Sequence, residues 1–206
     1  MSDTVSVLQR IRATRPRPVE ATEERCELCT EPIAAEHGHL VDLEARSILC
    51  ACRGCYLLFT SEGAGGHRYR AVPDRYRRIA GFELTATQWD SLQIPVSVAF
   101  FFHNSSLGGM AAFYPGPAGA TESELPLDTW QEVADRFPEL AELQPDVEAF
   151  LVRAGRQEPA QGYVVPIDAC YELVGNLRRL WRGFDGGSEA RDYLDSFFAS
   201  VGERAR

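Results

Sequence analysis

At 206 residues and 45% hydrophobic content, the chain has the size and composition of one globular domain, or of a small module joined to a larger one. Its net charge of −9 sits in residues 81–206, where 9 Arg meet 19 acidic side chains; residues 1–80 are near neutral, and the acidic part argues against general nucleic-acid or anionic-membrane binding. All 21 basic residues are Arg, which excludes lysine-dependent Schiff-base and Walker-type chemistry, and no apolar run approaches the roughly 18 residues that span a bilayer.

In chain order, residues 1–22 read as a flexible tail in which Val5, Leu8 and Ile11 could line a short helix stopped by Arg15-Pro-Arg-Pro18. This start lacks the apolar stretch of an export signal, so a cytoplasmic location is expected. Residues 23–60 form a cysteine-rich module whose middle predicts a hairpin over 39–50, turning near Glu44 and Ala45. Residues 61–82 read as a basic linker that opens on the Gly63-Ala-Gly-Gly66 turn.

Residues 83–206 predict a mixed α/β domain with a largely antiparallel sheet, making the whole chain α+β. Thr85 and Gln88 fit a capping box for a helix carrying Trp89 and Leu92. Val96 to His103 and Met110 to Tyr114 predict a hairpin. The Gly- and Pro-rich stretch 115–123 is expected to be irregular. Asp128, Asp168 and Ser188 are each expected to cap a helix, and strands are expected near 147–152 and 163–167.

The chemistry concentrates in Cys26-Glu-Leu-Cys29 and Cys50-Ala-Cys52-Arg-Gly-Cys55. A Cys-x-x-Cys turn aims two thiolates at one ion, and two such turns make the four-ligand set that zinc prefers. Cys26, Cys29, Cys52 and Cys55 are therefore the predicted ligands of a zinc-ribbon-like module. A segment with so little core depends on its metal, whose binding supplies about 10–16 kcal/mol in isolated finger peptides. Cys50 lies on the same side of a strand as Cys52, about 6.5 Å away along the chain. It is an alternate ligand, an outer neighbour, or a ligand of an iron–sulfur cluster, which also takes four thiolates. His37 and His39 add options. A His-x-His pair after Cys-x-x-Cys is similar to nuclease treble clefs of the His-Asn-His type, but the Asn and final His of that pattern are absent. His39 is thus an alternate ligand or a hydrogen-bonded strand histidine.

Arg68, Arg70, Arg75, Arg77 and Arg78, interleaved with Tyr69 and Tyr76, could contact a partner or phosphates, or pair with the acidic domain and orient the two parts. Nucleic acid is the weaker alternative, given the overall charge. Cys170 would lie near a helix start, where a thiol is activated, but it shares the apolar face of Leu173, Val174 and Leu177. An inert, packed thiol and a thiol enzyme are the two readings. The Gly-rich segments match no phosphate-binding loop.

Several phrases are distinctive: Cys26-Glu-Leu-Cys29, Leu49-Cys-Ala-Cys-Arg-Gly-Cys-Tyr-Leu-Leu-Phe59, Tyr69-Arg-Ala-Val-Pro-Asp-Arg-Tyr76, Gln93-Ile-Pro-Val96, Phe113-Tyr-Pro-Gly-Pro-Ala-Gly-Ala-Thr-Glu-Ser123, Pro166-Ile-Asp-Ala-Cys-Tyr-Glu-Leu-Val-Gly175 and Trp181-Arg-Gly-Phe-Asp-Gly-Gly187. Over about residues 23–200 the chain resembles an uncharacterised bacterial family encoded near high-affinity uptake nickel–iron hydrogenases. The resemblance implies a context and no mechanism. The resulting expectation is a metal-binding accessory protein rather than an enzyme, docking onto a hydrogenase subunit or assembly factor. An iron–sulfur carrier is the alternative.

Overall fold

The structure, a computed structural model, describes residues 24–61, 63–124, 127–155, 159–183 and 186–205. The expected tail over 1–22 lies outside them. A three-stranded sheet contains β1 (Gly38–Asp42), β2 (Ser47–Ala51) and β3 (Tyr69–Ala71) in the order β2-β1-β3. The predicted hairpin is β1–β2, with Leu40 opposite Leu49. Asp42 shapes its turn: Oδ1 accepts from the backbone N–H groups of Glu44 and Ala45 at 3.0 Å each. A one-and-a-half-turn helix, α1 (Arg53–Leu58), follows β2.

The large sheet is antiparallel throughout. It contains β4 (Arg77–Arg78), β5 (Val98–Asn104), β6 (Gly109–Gly116), β7 (Gly119–Ser123), β8 (Glu148–Arg153) and β9 (Gln161–Pro166), in the order β4-β9-β8-β5-β6-β7. The expected α+β class with a largely antiparallel sheet is what the structure shows. Both faces of this sheet are covered, which explains the uninterrupted Phe100-Phe-Phe102. Strand alternation sends Phe100 and Phe102 to one face and Phe101 to the other. On the first face lie α4 (Ile167–Leu180) and α5 (Gly187–Arg204), packed through Leu173, Leu177 and Phe198. On the second lie α2 (Ala86–Ser91), α3 (Leu127–Ala134) and a 3₁₀ turn, Pro138–Glu142, packed through Trp89, Trp130 and Leu140. The Thr85–Gln88 capping box forms as expected.

Val41 of β1 and Val72, just after β3, belong to the same buried cluster as α4. The small sheet is thus wedged against the first face of the large one. Segment 61–82, expected to be a linker, contains β3 of the small sheet and β4 at the edge of the large one.

Four local expectations are corrected. Residues 119–123 are not irregular: Gly116 pairs with Gly119 across a two-residue Pro117-Ala118 turn, and Gly119 adopts φ 124°, so the glycines and proline close a β6–β7 hairpin. Asp168 does not cap α4; Pro166 holds that position and Asp168 lies in the first turn. Ser188 lies inside α5, whose cap is Gly186 at φ 86°. Asp128 likewise sits within the first turn of α3 rather than before it.

An ion pair fastens the segment between the sheets. Glu148, fully buried at the start of β8, accepts from Arg75 Nε at 2.6 Å and Nη2 at 2.5 Å, and from the Gln144 backbone N–H at 3.0 Å. Removing one partner leaves a buried charge alone. Arg75→Met is expected to destabilise the chain by about 3 kcal/mol in urea unfolding, the low end for a buried pair because the arginine side is partly in water. Arg75→Met combined with Glu148→Leu is expected to regain most of that loss.

Candidate metal centre

The first cysteine pair sits in a tight turn. Cys26 O accepts from the Thr30 N–H at 2.8 Å, and the Cys26 N–H donates to Glu31 O at 2.9 Å. Glu27 ties this turn to β2 twice: its N–H donates to Cys50 O at 2.9 Å, and its carboxylate accepts from the Cys50 N–H at 2.6 Å. The second pair opens α1. Cys52 is the helix cap, and its Sγ accepts from the Cys55 N–H at 3.5 Å. The two-turn organisation expected of a ribbon holds in its first half; in the second, a helix rather than another hairpin presents the thiols.

The four Sγ atoms of Cys26, Cys29, Cys52 and Cys55 lie within 4.8 Å of one another. Cys29 Sγ and Cys52 Sγ lie 3.6 Å apart. That is far beyond a disulfide bond of about 2.05 Å. It is close to the tetrahedral edge of about 3.8 Å that follows from metal–sulfur bonds of about 2.3 Å. All four thiols are free. The donor set and its spacing therefore fit one metal ion.

Electrostatics within the cluster are uneven. Burial pushes the Cys26 thiol up, but the backbone groups of Cys52, Cys29 and Leu28 outweigh it and hold the group at about 6. Cys29 is pulled down by the Glu31 backbone, yet its bonds to Cys26 and Cys52 leave it raised. Desolvation, with hydrogen bonds to Cys29 and Cys52, pushes Cys55 up to about 12. One sulfur is thus a ready thiolate at neutral pH, while at least two shed protons when a cation arrives.

Tyr56 holds α1 in place. Its ring packs over Gly38, where an added Cβ would lie 2.5 Å from Cδ2, and its hydroxyl donates to Val72 O at 2.9 Å.

The alternate ligands fall apart from the four. His39 Nδ1 lies 2.7 Å from Asp168 Oδ2, and Cys50 sits opposite His39 across β1–β2. Asp168 went unrecognised in the sequence because its role there spans 129 residues. The arginines face the chain's own acids. Arg68 binds Asp42 through Nε at 3.0 Å and Nη2 at 2.7 Å, Arg70 reaches Pro145 O at 2.7 Å and Asp146 at 3.3 Å, and Arg77 reaches Glu142 at 3.0 Å. Arg78 is exposed on β4. Cys170 is fully buried, and burial drives its thiol well above the ordinary range, opposite to the activation a nucleophile needs. Among the described residues, no helix is long and apolar enough to cross a membrane.

A family model described as "Family of unknown function (DUF5947)" matches residues 25–205. The chain belongs to this family. The match begins one residue before Cys26 and spans the cysteine module together with both sheets. Set against curated proteins and against solved structures, this DUF5947 chain finds no match in either.

Proton release gives a direct check. With Cys29 and Cys55 protonated before metal binds, the apparent affinity of the four-thiolate site is expected to fall at least about 100-fold from pH 8 to pH 7, tenfold for each proton displaced. Competition with a chelator of known affinity at several pH values measures it.

Proposed function

We propose that this chain is a metal-binding accessory protein in which Cys26, Cys29, Cys52 and Cys55 hold one structural zinc ion, and in which the metal-braced module is a docking platform for another protein. The observation that carries the reading is the closed four-sulfur set itself. Four thiolates fill a tetrahedral ion and leave no position for substrate, which is the mark of a structural rather than a catalytic site. An iron–sulfur cluster distributes its thiolates over several irons and needs wider sulfur spacing than four ligands of one ion, so the compact cluster favours zinc over the iron–sulfur alternative.

Docking is supported by the outer side of α1. Leu57 and Leu58 are 48% and 60% exposed, one turn from the cysteines. Paired large apolar side chains beside a rigid metal turn suit a protein contact. The inward pairing of Arg68, Arg70, Arg75 and Arg77 weighs against nucleic acid as the partner, and the buried Cys170 weighs against a thiol enzyme. The partner we propose, a nickel–iron hydrogenase subunit or assembly factor in the cytoplasm, is supported by the resemblance of the seven sequence phrases.

Two measurements test this. Cys26→Ser with Cys55→Ser is expected to lose the zinc of this site and to raise amide exchange across residues 24–60, while β5 and β8 stay protected; unchanged zinc and exchange contradict the structural site. Tagged full-length chain from its native host is expected to capture hydrogenase subunits or maturation proteins. Leu57→Asp with Leu58→Asp is expected to release them without altering metal content. Capture that ignores both substitutions, or a brown iron-containing product, overturns the respective part.

A further inference from the structure

Three side chains outside the four-thiolate cluster converge in the same module. Cys50 stands opposite His39 in the β1–β2 register. His37, two residues before His39, packs its ring 4.8 Å from that of His39, centroid to centroid. The ligand atoms of His37, His39 and Cys50 lie within 4.8 Å of one another.

The imidazoles are oriented from behind. His37 Nδ1 lies 2.9 Å from the Ala34 carbonyl oxygen, with the Glu24 carboxylate 3.8 Å away. A carbonyl only accepts, so this nitrogen carries the proton and Nε2 carries the lone pair. His39 Nδ1 faces Asp168 Oδ2 at 2.7 Å, which sets the same tautomer. Hydrogen bonding of Nδ1 to a carbonyl or carboxylate is how proteins aim a histidine at a metal. Among the described residues His37 Nε2 is also buried with no hydrogen-bond partner, on a side chain only 10% exposed. A buried lone pair left unmatched in this way is rare unless something binds it.

We propose that His37, His39 and Cys50 form a second transition-metal site, separate from the four-thiolate cluster, that takes a borderline-soft divalent ion such as zinc. Two imidazole nitrogens and one thiolate suit zinc or cobalt(II) and not magnesium or calcium. The three donors leave the fourth tetrahedral position open, and Cys50 is only partly buried, so that position faces exchangeable ligands. Asp168 is a positioning residue: it holds His39 from the start of α4 and links the site to the large sheet's helical layer. Glu27, bonded to both backbone groups of Cys50, joins the two sites directly.

The test is zinc binding by the full-length chain, counted by mass spectrometry after equilibrium dialysis, with cobalt(II) spectra alongside. Wild type is expected to hold two zinc ions. His37→Ala and Cys50→Ser are each expected to hold one, with the all-thiolate cobalt charge-transfer bands of the first site retained, which shows the module still folded. Asp168→Asn is expected to weaken the second zinc about 10- to 100-fold and leave the first unchanged. One zinc in wild type at saturation, or two in both His37→Ala and Cys50→Ser, overturns the proposal. Should Cys50→Ser lose both ions, His37→Ala decides alone, since among the described residues that ring's polar contacts are the Ala34 carbonyl and the exposed Glu24 carboxylate, not the four-thiolate cluster.

Discussion

Four sulfur atoms brought within reach of one ion join two pieces of chain, the Cys26–Cys29 turn and the short helix α1, beside the β1–β2 hairpin. The turn around Cys26–Cys29 rests on backbone bonds and on Glu27. Helix α1 has six residues and none buried, too short and too exposed to persist by itself. The β1–β2 hairpin contributes few core side chains, chiefly Leu40, Val41 and Ala51. A cation at the sulfurs would crosslink the first two, and the hairpin is tied to them by the chain running from Ala51 into Cys52 and by the Glu27–Cys50 bonds. Without it, four close thiols offer only weak hydrogen bonds, and four thiolates repel.

The cysteine module is not an appendage. Val41 and Val72 share the buried cluster of α4, His39 meets Asp168 at the start of that helix, and Arg70 and Arg75 reach Asp146 and Glu148 beside β8. These links run from both strands flanking the metal turns into the large sheet. The orientation of α1 is therefore fixed relative to the rest of the chain. The basic stretch acts as the clamp: Arg68, Arg70, Arg75 and Arg77 each reach an internal carboxylate.

The cysteine cluster was legible in the sequence because its geometry is local: two residues between cysteines make a turn, and alternation in 38–51 makes a hairpin that brings the turns together. The β5–β6 hairpin of the large sheet was legible for the same reason, through the Phe100–Phe102 run, as was helix α2 through the Thr85 capping box. What stayed hidden depends on distance along the chain or on a two-residue turn. Strand β7 was masked by Pro117 and the glycines that shape its hairpin. Asp168 resembled a helix cap until the fold brought His39 to it. Pairings such as Arg75 with Glu148, 73 residues apart, leave no periodic trace in sequence, so the arginines looked as available as they are engaged.

The most direct test of the four-thiolate ion is X-ray absorption at the zinc edge on the Cys50→Ser chain, loaded with one equivalent of zinc. The account predicts a single shell of four sulfurs at about 2.3 Å with no neighbouring metal. A shell containing nitrogen or oxygen donors, or a second metal close by, would contradict it.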